Sequence, residues 1–514
     1  MRRILVCLAL LAAGLTGCAA NPVTGKTELS LISESAEIEL GKNNYGPTVQ
    51  AQGGSYVLDP ALTAYVAEVG QKLAQVSDRP QLPYEFLVVN DSVPNAWALP
   101  GGKIAVNRGL LLELNSEAEL AAVLGHEIVH AAARHGAQSV ERGMLLQVGV
   151  AAVGLATQDS RYAPLLVGGA GLGASLVASK YGRDAELEAD RYGMHYMAKA
   201  GYDPHAAVDL QETFVRLSQG RESNWLEGLF ASHPPSAERV TANRATAAAL
   251  PRGEVGKERY QAKIAGLVKT KQAYAQFDAG RAALAKNDPA AALAAADKAI
   301  AIEPREALFH GLKGAALAGR GELAKARKAY DAAIERNPTY FDFYLQRGLL
   351  RQQLNDPGAR TDLERSVALL PTAQAHHALG NMALAEGNRA GASRHFALAA
   401  ESNSPLGQQA AQQLARLELA EQPQRYLQAA AADVRGGTVT VAVRNQAPVP
   451  VQGVVLHASL RDSRGRLVRE LPVHLAQTLA PGQVVYVGTA LGPVAEQRDL
   501  RRVTVEVRAA RVAE

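Results

Sequence analysis

The sequence has few cysteines, few aromatic residues and little net charge. Its two cysteines, Cys7 and Cys18, exclude a disulfide framework and a cysteine-rich zinc site, so any metal must be held by histidines and carboxylates. Aromatic residues make up 5% and the formal net charge is +4, which gives no indication of nucleic-acid binding. The length of 514 residues predicts two to four domains, and a hydrophobic fraction of 47% fits a folded protein that buries a large core.

The N-terminus has the pattern of a secretory signal. Two arginines precede an apolar run at residues 4–14 that is too short to span a bilayer. Residues 15–18, Leu-Thr-Gly-Cys, resemble a bacterial lipobox, in which the chain is cleaved before the cysteine and that cysteine is acylated. We therefore predict a lipoprotein signal peptide at 1–17 and lipidation of Cys18, with an ordinary signal peptide as the alternative. By resemblance to bacterial lipoproteins, Ala19 favours the periplasmic face of the outer membrane.

Helix and strand patterns alternate after a polar segment, 18–30, that we interpret as a lipidated tether. Ser116 starts a capping box, which predicts a helix over about 117–135 that stops at Gly136. Residues 143–179 are apolar, but polar residues divide them into pieces shorter than the roughly 20 residues that a membrane helix needs. We predict buried helices or helices that cover an active site there, with lipid contact as the alternative.

Residues 273–405 contain a repeat of 32–34 residues. Three sets of residues keep this spacing: Gly280, Gly314, Gly348 and Gly380; Ala292, Ala326, Ala359 and Ala392; Pro304, Pro338, Pro371 and Pro405. Small residues let paired helices approach closely, and proline closes a helix. The pattern resembles about four tetratricopeptide repeats and predicts an α-solenoid over 270–425. An irregular alanine-rich bundle is the alternative.

The C-terminal region changes to strand periodicity. Apolar and polar residues alternate with period two in 438–443, 454–458 and 503–507, and turn residues separate these runs. We predict an antiparallel β-sandwich over 430–514. The sequence does not indicate what this domain binds.

The motif that carries chemistry is His126-Glu127-Ile128-Val129-His130, inside the predicted helix. Histidines four residues apart share one helix face, so both imidazoles can reach one Zn²⁺, with Glu127 beside them as the general base. A third ligand must come from elsewhere, and Glu186 supplies it in a second predicted helix. Asp190 lies on the same face as Glu186 and is placed to orient a ligand imidazole.

Three other side chains near these motifs receive structural interpretations. On ideal helices, His135 faces about 140° from His130, and His195 lies opposite Glu186, which predicts structural roles for both. Glu188 points about 160° away from Glu186, and we predict that it is solvated.

These motifs, with Asn95-Ala96-Trp97-Ala98-Leu99-Pro100-Gly101-Gly102, resemble the M48 family of zinc metalloendopeptidases over about residues 30–245. With the lipobox and repeats, the chain is similar to the subgroup of the β-barrel assembly-enhancing protease of the bacterial periplasm. The resemblance implies a mainly helical α+β gluzincin-like domain, here assigned to 31–250, with one Zn²⁺ per chain. It also implies a role in quality control of outer-membrane proteins.

The resemblance further implies that His233, in Ser-His-Pro-Pro, occupies the open zinc position and restrains activity. Without the family, a histidine before two prolines is more often a surface residue. For Arg239, binding of the substrate carbonyl and bracing of the loop stay open.

Asn95, Trp97 and Ala98 are candidates for substrate binding. The turn before 103–106 suggests an edge strand on which an extended peptide could pair, with a plain hairpin as the alternative. Trp97 fits either the core or the wall of the cleft.

Three functions compete on these features. We expect a membrane-anchored periplasmic endopeptidase that cleaves unfolded or misassembled proteins, with repeats that recruit clients or assembly partners and no nucleic-acid partner. The alternatives are a chaperone or scaffold with little proteolysis, and a repeat adaptor with a degenerate enzyme. The presence of every proposed ligand and of Glu127 argues against the adaptor.

Overall fold

A computed structural model describes residues 18–149, 177, 181–220, 232–494 and 496–513. The predicted signal peptide at 1–17 and most of the apolar segment 143–179 lie outside this part. The chain divides into two compact units, Met1–Pro371 and Thr372–Glu514. Within the described ranges, no helix combines the length and the hydropathy that crossing a bilayer requires.

The described part of the first unit is mainly helical and carries five short strands. The strands are β1 (Cys18–Ala20), β2 (Thr27–Leu29), β3 (Glu85–Val89), β4 (Ala96–Leu99) and β5 (Lys103–Asn107). The helices before the repeats are α1 (Glu34–Ala51), α2 (Pro60–Ala74), α3 (Arg108–Leu111), α4 (Glu117–Ala132), α5 (His135–Gly149), α6 (Arg183–Lys199), α7 (His205–Gly220) and α8 (Ala237–Ala248).

A three-stranded sheet lies beside the central helix of this unit. Its strand order is β3-β5-β4, with β3 parallel and β4 antiparallel to β5. The β4–β5 turn takes positive φ at Gly101 and Gly102, a conformation that suits residues without a Cβ. The predicted hairpin is thus present, and β4 is also an edge strand of its sheet.

Helix α4 forms the core of the unit, and every residue in it is buried. The Ser116 hydroxyl accepts a hydrogen bond from the Glu119 backbone N–H, as the capping box predicts. The predicted end at Gly136 is wrong, because the helix stops at Ala132 and Arg134 takes a left-handed φ of 65°. The chain turns there, and α5 begins at once with His135.

The N-terminal segment interpreted as a tether forms a hairpin of β1 and β2. Asn21, in its turn, is buried and donates hydrogen bonds to Glu28 and to Glu188 in α6. Glu141 in α5 accepts from the backbone N–H groups of Leu31 and Ile32. Polar contacts with α5 and α6 therefore fix this segment on the folded body.

Antiparallel helix pairs follow. In the first unit these helices are α9 (Lys257–Ala285), α10 (Pro289–Ile302), α11 (Ala307–Gly319), α12 (Leu323–Arg336), α13 (Phe341–Gln353) and α14 (Ala359–Leu369). A Cβ on Gly314 would lie 2.9 Å from the Tyr330 ring, and one on Gly348 would lie 2.9 Å from Leu363. The periodic glycines thus sit where paired helices touch, as the repeat predicts.

Buried polar contacts join the repeats to the preceding domain within the first unit. The Asn90 amide donates to Glu306 at 3.3 Å, and the Tyr274 hydroxyl also donates to Glu306. The Arg108 guanidinium lies 3.3 Å from the centroid of the Tyr274 ring. Because these groups are buried, separating the two parts would leave them unpaired.

The second unit contains the last helices and two small sheets. Its helices are α15 (Ala373–Ala385), α16 (Arg389–Ala400) and α17 (Pro405–Glu418). Its strands are β6 (Leu427–Arg435), β7 (Thr438–Asn445), β8 (Val451–Arg461), β9 (Leu467–Leu475), β10 (Val484–Gly488) and β11 (Val503–Val512). The antiparallel sheets have the orders β10-β7-β6 and β11-β8-β9, and strands of both contribute side chains to one buried apolar cluster. Their arrangement as a sandwich stays a prediction.

Candidate metal centre

Helices α4 and α6 lie close together because small residues face each other where they meet. A Cβ on Gly193 in α6 would lie 3.0 Å from the backbone nitrogen of His126 in α4. The equivalent atom on Gly125 would lie 3.1 Å from the Gly193 carbonyl oxygen. This approach brings Glu186, in the first turn of α6, to the histidines of α4.

Four side chains converge at this point: His126, His130, Glu186 and His233, all buried. The Nε2 atoms of His126 and His130 are 3.0 Å apart. His233 Nδ1 lies 3.2 Å from His126 Nε2 and 3.1 Å from Glu186 Oε1. The predicted ligands are therefore together, with His233 as a fourth donor.

The donor set fits a zinc ion. Ligand atoms about 2.0–2.1 Å from a tetrahedral Zn²⁺ are about 3.3–3.4 Å from one another. At this site the two Nε2 atoms are 3.0 Å apart, His126 Nε2 and Glu186 Oε2 are 3.6 Å apart, and one ligand atom from each of the four residues lies within 4.8 Å of the others. Nitrogen and carboxylate donors are also the ones that zinc prefers where cysteine is absent.

Asp190 and Arg239 support the first histidine. The Asp190 carboxylate lies 2.9 Å from His126 Nδ1, which places the imidazole proton on Nδ1 and leaves Nε2 as a donor atom. The Arg239 guanidinium donates two hydrogen bonds of 2.7 Å to Asp190. Burial acts to raise the pKa of Asp190, but Arg239 outweighs it and holds that pKa well below its usual range.

Of the two roles left open for Arg239, its observed contacts match the bracing role. Its side chain is 5% exposed and also lies 2.9 Å from Glu186 Oε2. It donates to the backbone carbonyl of Pro234, the residue after His233. A single cation therefore connects the loop, the candidate ligand Glu186 and the acceptor Asp190.

Glu127 lies beside the four donors without joining them. Its side chain is buried, and its Oε2 has no hydrogen-bond partner among the described residues. Burial raises the pKa of this carboxyl group above its usual value. A buried carboxylate with an unused oxygen is suited to accept a proton.

His233 is 7% exposed, so the surface interpretation is wrong. Its Nε2 lies 3.5 Å from Glu127 Oε1, while its Nδ1 contacts Glu186. Burial acts to lower the pKa of His233, but the Glu186 and Glu127 carboxylates outweigh it and raise that pKa.

The interpretations of His135 and Glu188 miss that His135 contacts the candidate ligand His130 and that Glu188 contacts His135. His135 Nδ1 lies 2.8 Å from His130 Nδ1, because the chain turns at Arg134 and brings His135 back. Glu188, predicted to be solvated, is half-buried and lies 3.4 Å from His135 Nε2. An ideal-helix projection could not show either contact, since α4 and α5 are separate helices.

The candidate substrate residues divide between two faces of β4. Trp97 is 2% exposed, packs edge-on against Tyr45 and donates to Gln52, so it belongs to the core. Asn95 and Ala98 are also buried. Ala96, between the candidates, reaches the cavity beside the centre.

A cavity of about 60 Å³ opens beside His126 and Glu127. Apolar side chains from α6 and α7 form much of its wall: Met194, Met197, Ala207, Leu210 and Phe214. No sequence pattern indicates this cavity, because its lining residues have the spacing of ordinary core positions. The space can take an apolar side chain next to the candidate metal.

Comparisons with known proteins match the same region of the chain. Residues 60–247 match peptidase family M48. The beta-barrel assembly-enhancing protease of Yersinia pestis is 31% identical over 194 residues, 36% of this chain and 39% of that protein. The mitochondrial metalloendopeptidase OMA1 of Schizosaccharomyces pombe is 32% identical over 224 residues, 43% of this chain and 63% of that protein.

This chain thus spans less than two thirds of the length of either relative. Among solved structures, a thermophilic TPR protein of Thermus thermophilus, TTC0263, is 23% identical and covers 30% of this chain and 88% of that chain. Its TM-score of 0.25 is too low to bear on the fold. The match to the family and the predicted motif agree on the segment that holds His126, Glu127 and Glu186. Residues 60–247 of this chain are thus similar to peptidase family M48.

Proposed function

We propose that this chain is a zinc metalloendopeptidase that hydrolyses internal peptide bonds in unfolded or misassembled proteins. The observation that carries the proposal is the meeting of His126, His130 and Glu186, from two helices, beside the carboxylate of Glu127. The names of the relatives, which are a protease and a metalloendopeptidase, support it.

Each polar side chain at the centre has a separate task in this proposal. His126, His130 and Glu186 hold the ion, and Asp190 fixes the tautomer of His126. When bound, zinc polarises the scissile carbonyl and lowers the pKa of a water molecule to about 7. Glu127 takes the proton from that water and passes it to the departing amine nitrogen.

The substrate is an extended peptide in this proposal. As an edge strand, β4 has one side with which no other described strand pairs, and main-chain pairing there requires a segment without tertiary structure. The cavity that Ala96 lines next to Glu127 takes an apolar side chain flanking the scissile bond. Apolar side chains that a substrate protein normally buries can enter this cavity only when that protein is unfolded or misassembled.

The remaining parts of the chain locate the enzyme and its clients. Acylation at Cys18 anchors it in the periplasm, at the inner leaflet of the outer membrane. The helix pairs, as tetratricopeptide-like repeats over 270–425, recruit clients or the outer-membrane assembly machinery. The C-terminal domain over 430–514 is a β-sandwich that adds a second surface for partners.

A specific contact favours a second candidate function, that of a chaperone or scaffold with little proteolysis. His233 occupies the fourth donor position of the site, which a zinc protease needs to keep open for water and substrate. We propose that this histidine restrains an active protease and leaves when substrate binds. A permanently closed centre would instead favour the scaffold.

Glu127→Gln tests the proposed function directly. We expect casein cleavage to fall at least about 100-fold, since general-base catalysis contributes about 10²–10⁴-fold, while zinc content stays at the wild-type level. Glu258→Gln, at an exposed site in the first turn of α9, is the matched control and should cleave casein normally. Unchanged cleavage in Glu127→Gln would contradict the mechanism, and no cleavage by the wild type with any denatured protein would favour the scaffold.

A further inference from the structure

Behind the second histidine of the centre lies a chain of polar side chains that the proposed mechanism does not use. We propose that His135 and Glu188 are positioning residues that set the tautomer and orientation of His130 and thereby the zinc affinity. This inference rests on the proposed function, because it takes His130 as a zinc ligand.

The geometry shows a continuous path from His130 to the N-terminal hairpin. His135 is 4% exposed, and its Nδ1 lies 2.8 Å from His130 Nδ1. On its other side, His135 Nε2 lies 3.4 Å from Glu188 Oε1. The amide of the buried Asn21 donates to the same carboxylate oxygen at 3.4 Å.

Metal binding would determine which nitrogen donates and which accepts at each step of this path. Zinc needs the unprotonated Nε2 of His130, the atom that faces His126 and Glu186, so the proton of His130 must be on Nδ1. That N–H then donates to His135 Nδ1, which has to be the unprotonated nitrogen of its ring. The remaining proton of His135 is therefore on Nε2, the atom that lies 3.4 Å from the Glu188 carboxylate. Each proton then faces an acceptor atom, and no nitrogen in the path has to donate and accept at once.

The two metal-binding histidines are thus supported in different ways. His126 donates directly to a carboxylate, Asp190, that Arg239 holds in place. His130 instead has the imidazole of His135 as its partner, and the carboxylate of Glu188 is one side chain further away. Such partners of metal ligands commonly contribute about 10–100-fold in metal affinity.

The local fold explains how His135 reaches this place. Arg134, with its left-handed φ, separates α4 from α5, and its guanidinium donates to Glu37 at 3.0 Å. It also donates to Ser30 and to the Ile32 carbonyl oxygen. The Tyr181 ring stacks on His130 with centroids 4.0 Å apart and shields the pair from solvent.

The test is the zinc dissociation constant of the purified full chain, measured by competition with a chromophoric chelator. We expect His135→Ala to weaken zinc binding about 10–100-fold. We expect His135→Gln to lie between the alanine variant and the wild type, because an amide oxygen can accept the proton of His130. His195→Ala, which removes another half-buried histidine from α6, is the matched control and should bind zinc like the wild type.

A double variant separates a shared path from two independent effects. If Glu188 acts through His135, then adding Glu188→Ala to His135→Ala should weaken zinc binding no further. The visible spectrum of the Co²⁺-loaded protein gives a second readout, and it should change in His135→Ala but not in His195→Ala.

The inference is overturned if His135→Ala and His135→Gln bind zinc like the wild type, or if the losses from His135→Ala and Glu188→Ala simply add. A fall in unfolding free energy of the metal-free protein with an unchanged dissociation constant would assign a purely structural role and also overturn it. Failure of the proposed function gives a different result, since the wild type would then bind no zinc or would bind it and cleave nothing.

Discussion

At the scale of the residue, three carboxylates buried within one site behave differently because their neighbours differ. Asp190 is paired with Arg239, and its pKa is held low. Burial acts to raise the pKa of Glu186, but the neighbouring His233 and His130 outweigh it and hold that pKa below its usual value. Glu127 lies 3.5 Å from His233, but burial outweighs this contact and raises its pKa. Two carboxylates are thereby kept as fixed anions, and the third is left able to exchange a proton.

The restraint by His233 predicts a gain of activity on its removal. We expect His233→Ala to raise casein cleavage on the order of tenfold, because a centre that is mostly closed binds substrate only in its minor open state. Initial rates at equal zinc content measure this. His205→Ala, at a half-exposed histidine that starts α7, should leave the rate unchanged. A fall in rate, or no change, would count against the restraint.

The motif residues could be predicted from the sequence, but the side chains that contact them could not. Spacing along a single helix is enough to place His126 and His130 on one face, and Glu186 with Asp190 on another. His135 could not be assigned in this way, since its position depends on one backbone angle at Arg134. Trp97 could not be assigned to the core or to the cleft wall, because alternation along a strand does not say which face meets the core.

At the scale of the element, the centre depends on how closely α4 and α6 approach. Ala189 and Gly193 leave room for this approach, and both are buried where the helices meet. A glycine in a helix is costly by roughly 0.5–1 kcal/mol relative to alanine, so its presence needs a packing reason. Backbone atoms of His126 and Gly125 within 3.1 Å of the missing Cβ provide that reason.

Gly193→Val should therefore disturb both packing and metal binding. A valine at this position would force the two helices apart, which we expect to cost about 1–3 kcal/mol in unfolding free energy. The same movement draws Glu186 away from the histidines, so we also expect weaker zinc binding. Urea unfolding and chelator competition measure the two effects.

Gly143→Val is the control for this substitution, because no atom of the described residues lies within 4 Å of the position of its Cβ in α5. Wild-type zinc affinity in Gly193→Val would show that the close contact of α4 and α6 is not what brings the ligands together.

Helices and strands with strong local patterns were predictable, whereas their ends and the N-terminal segment were not. The capping box at Ser116 determines the start of α4, and the strand expected at 103–106 agrees with β5 to within one residue. The interpretation of 18–30 as a tether rests on its polarity. Yet its polar side chains are used in contacts, such as that of Asn21 with Glu188, which no local pattern reveals.

At the scale of the whole molecule, the M48-like domain and the first helix pairs belong to one compact unit. Glu306, at the start of α11, accepts hydrogen bonds from Asn90 of the M48-like domain and from Tyr274 of α9. A client held by these repeats would therefore stay at a fixed distance from the centre. The repeat itself was predictable, because three registers of small residues and proline recur along the sequence.

The proposed anchor predicts where the protein is found in cells. Cys18→Ala should move the protein from the membrane fraction to the soluble periplasmic fraction, because each buried CH₂ of the acyl chains contributes roughly 0.8 kcal/mol to membrane binding. Fractionation followed by immunoblotting measures this. Cys7→Ala, in the same predicted signal, should leave the protein with the membranes. Continued sedimentation of Cys18→Ala with membranes would refute the lipid anchor.

The central claim is that α4 and α6 together hold one divalent ion per chain, and the zinc-to-protein ratio tests it most directly. Elemental analysis of the purified full chain should give about one zinc per chain, and a value close to zero for Glu186→Ala and for the double variant His126→Ala, His130→Ala. A wild-type protein that takes up no zinc from stoichiometric Zn²⁺, or a Glu186→Ala variant that keeps a full complement, would contradict the account.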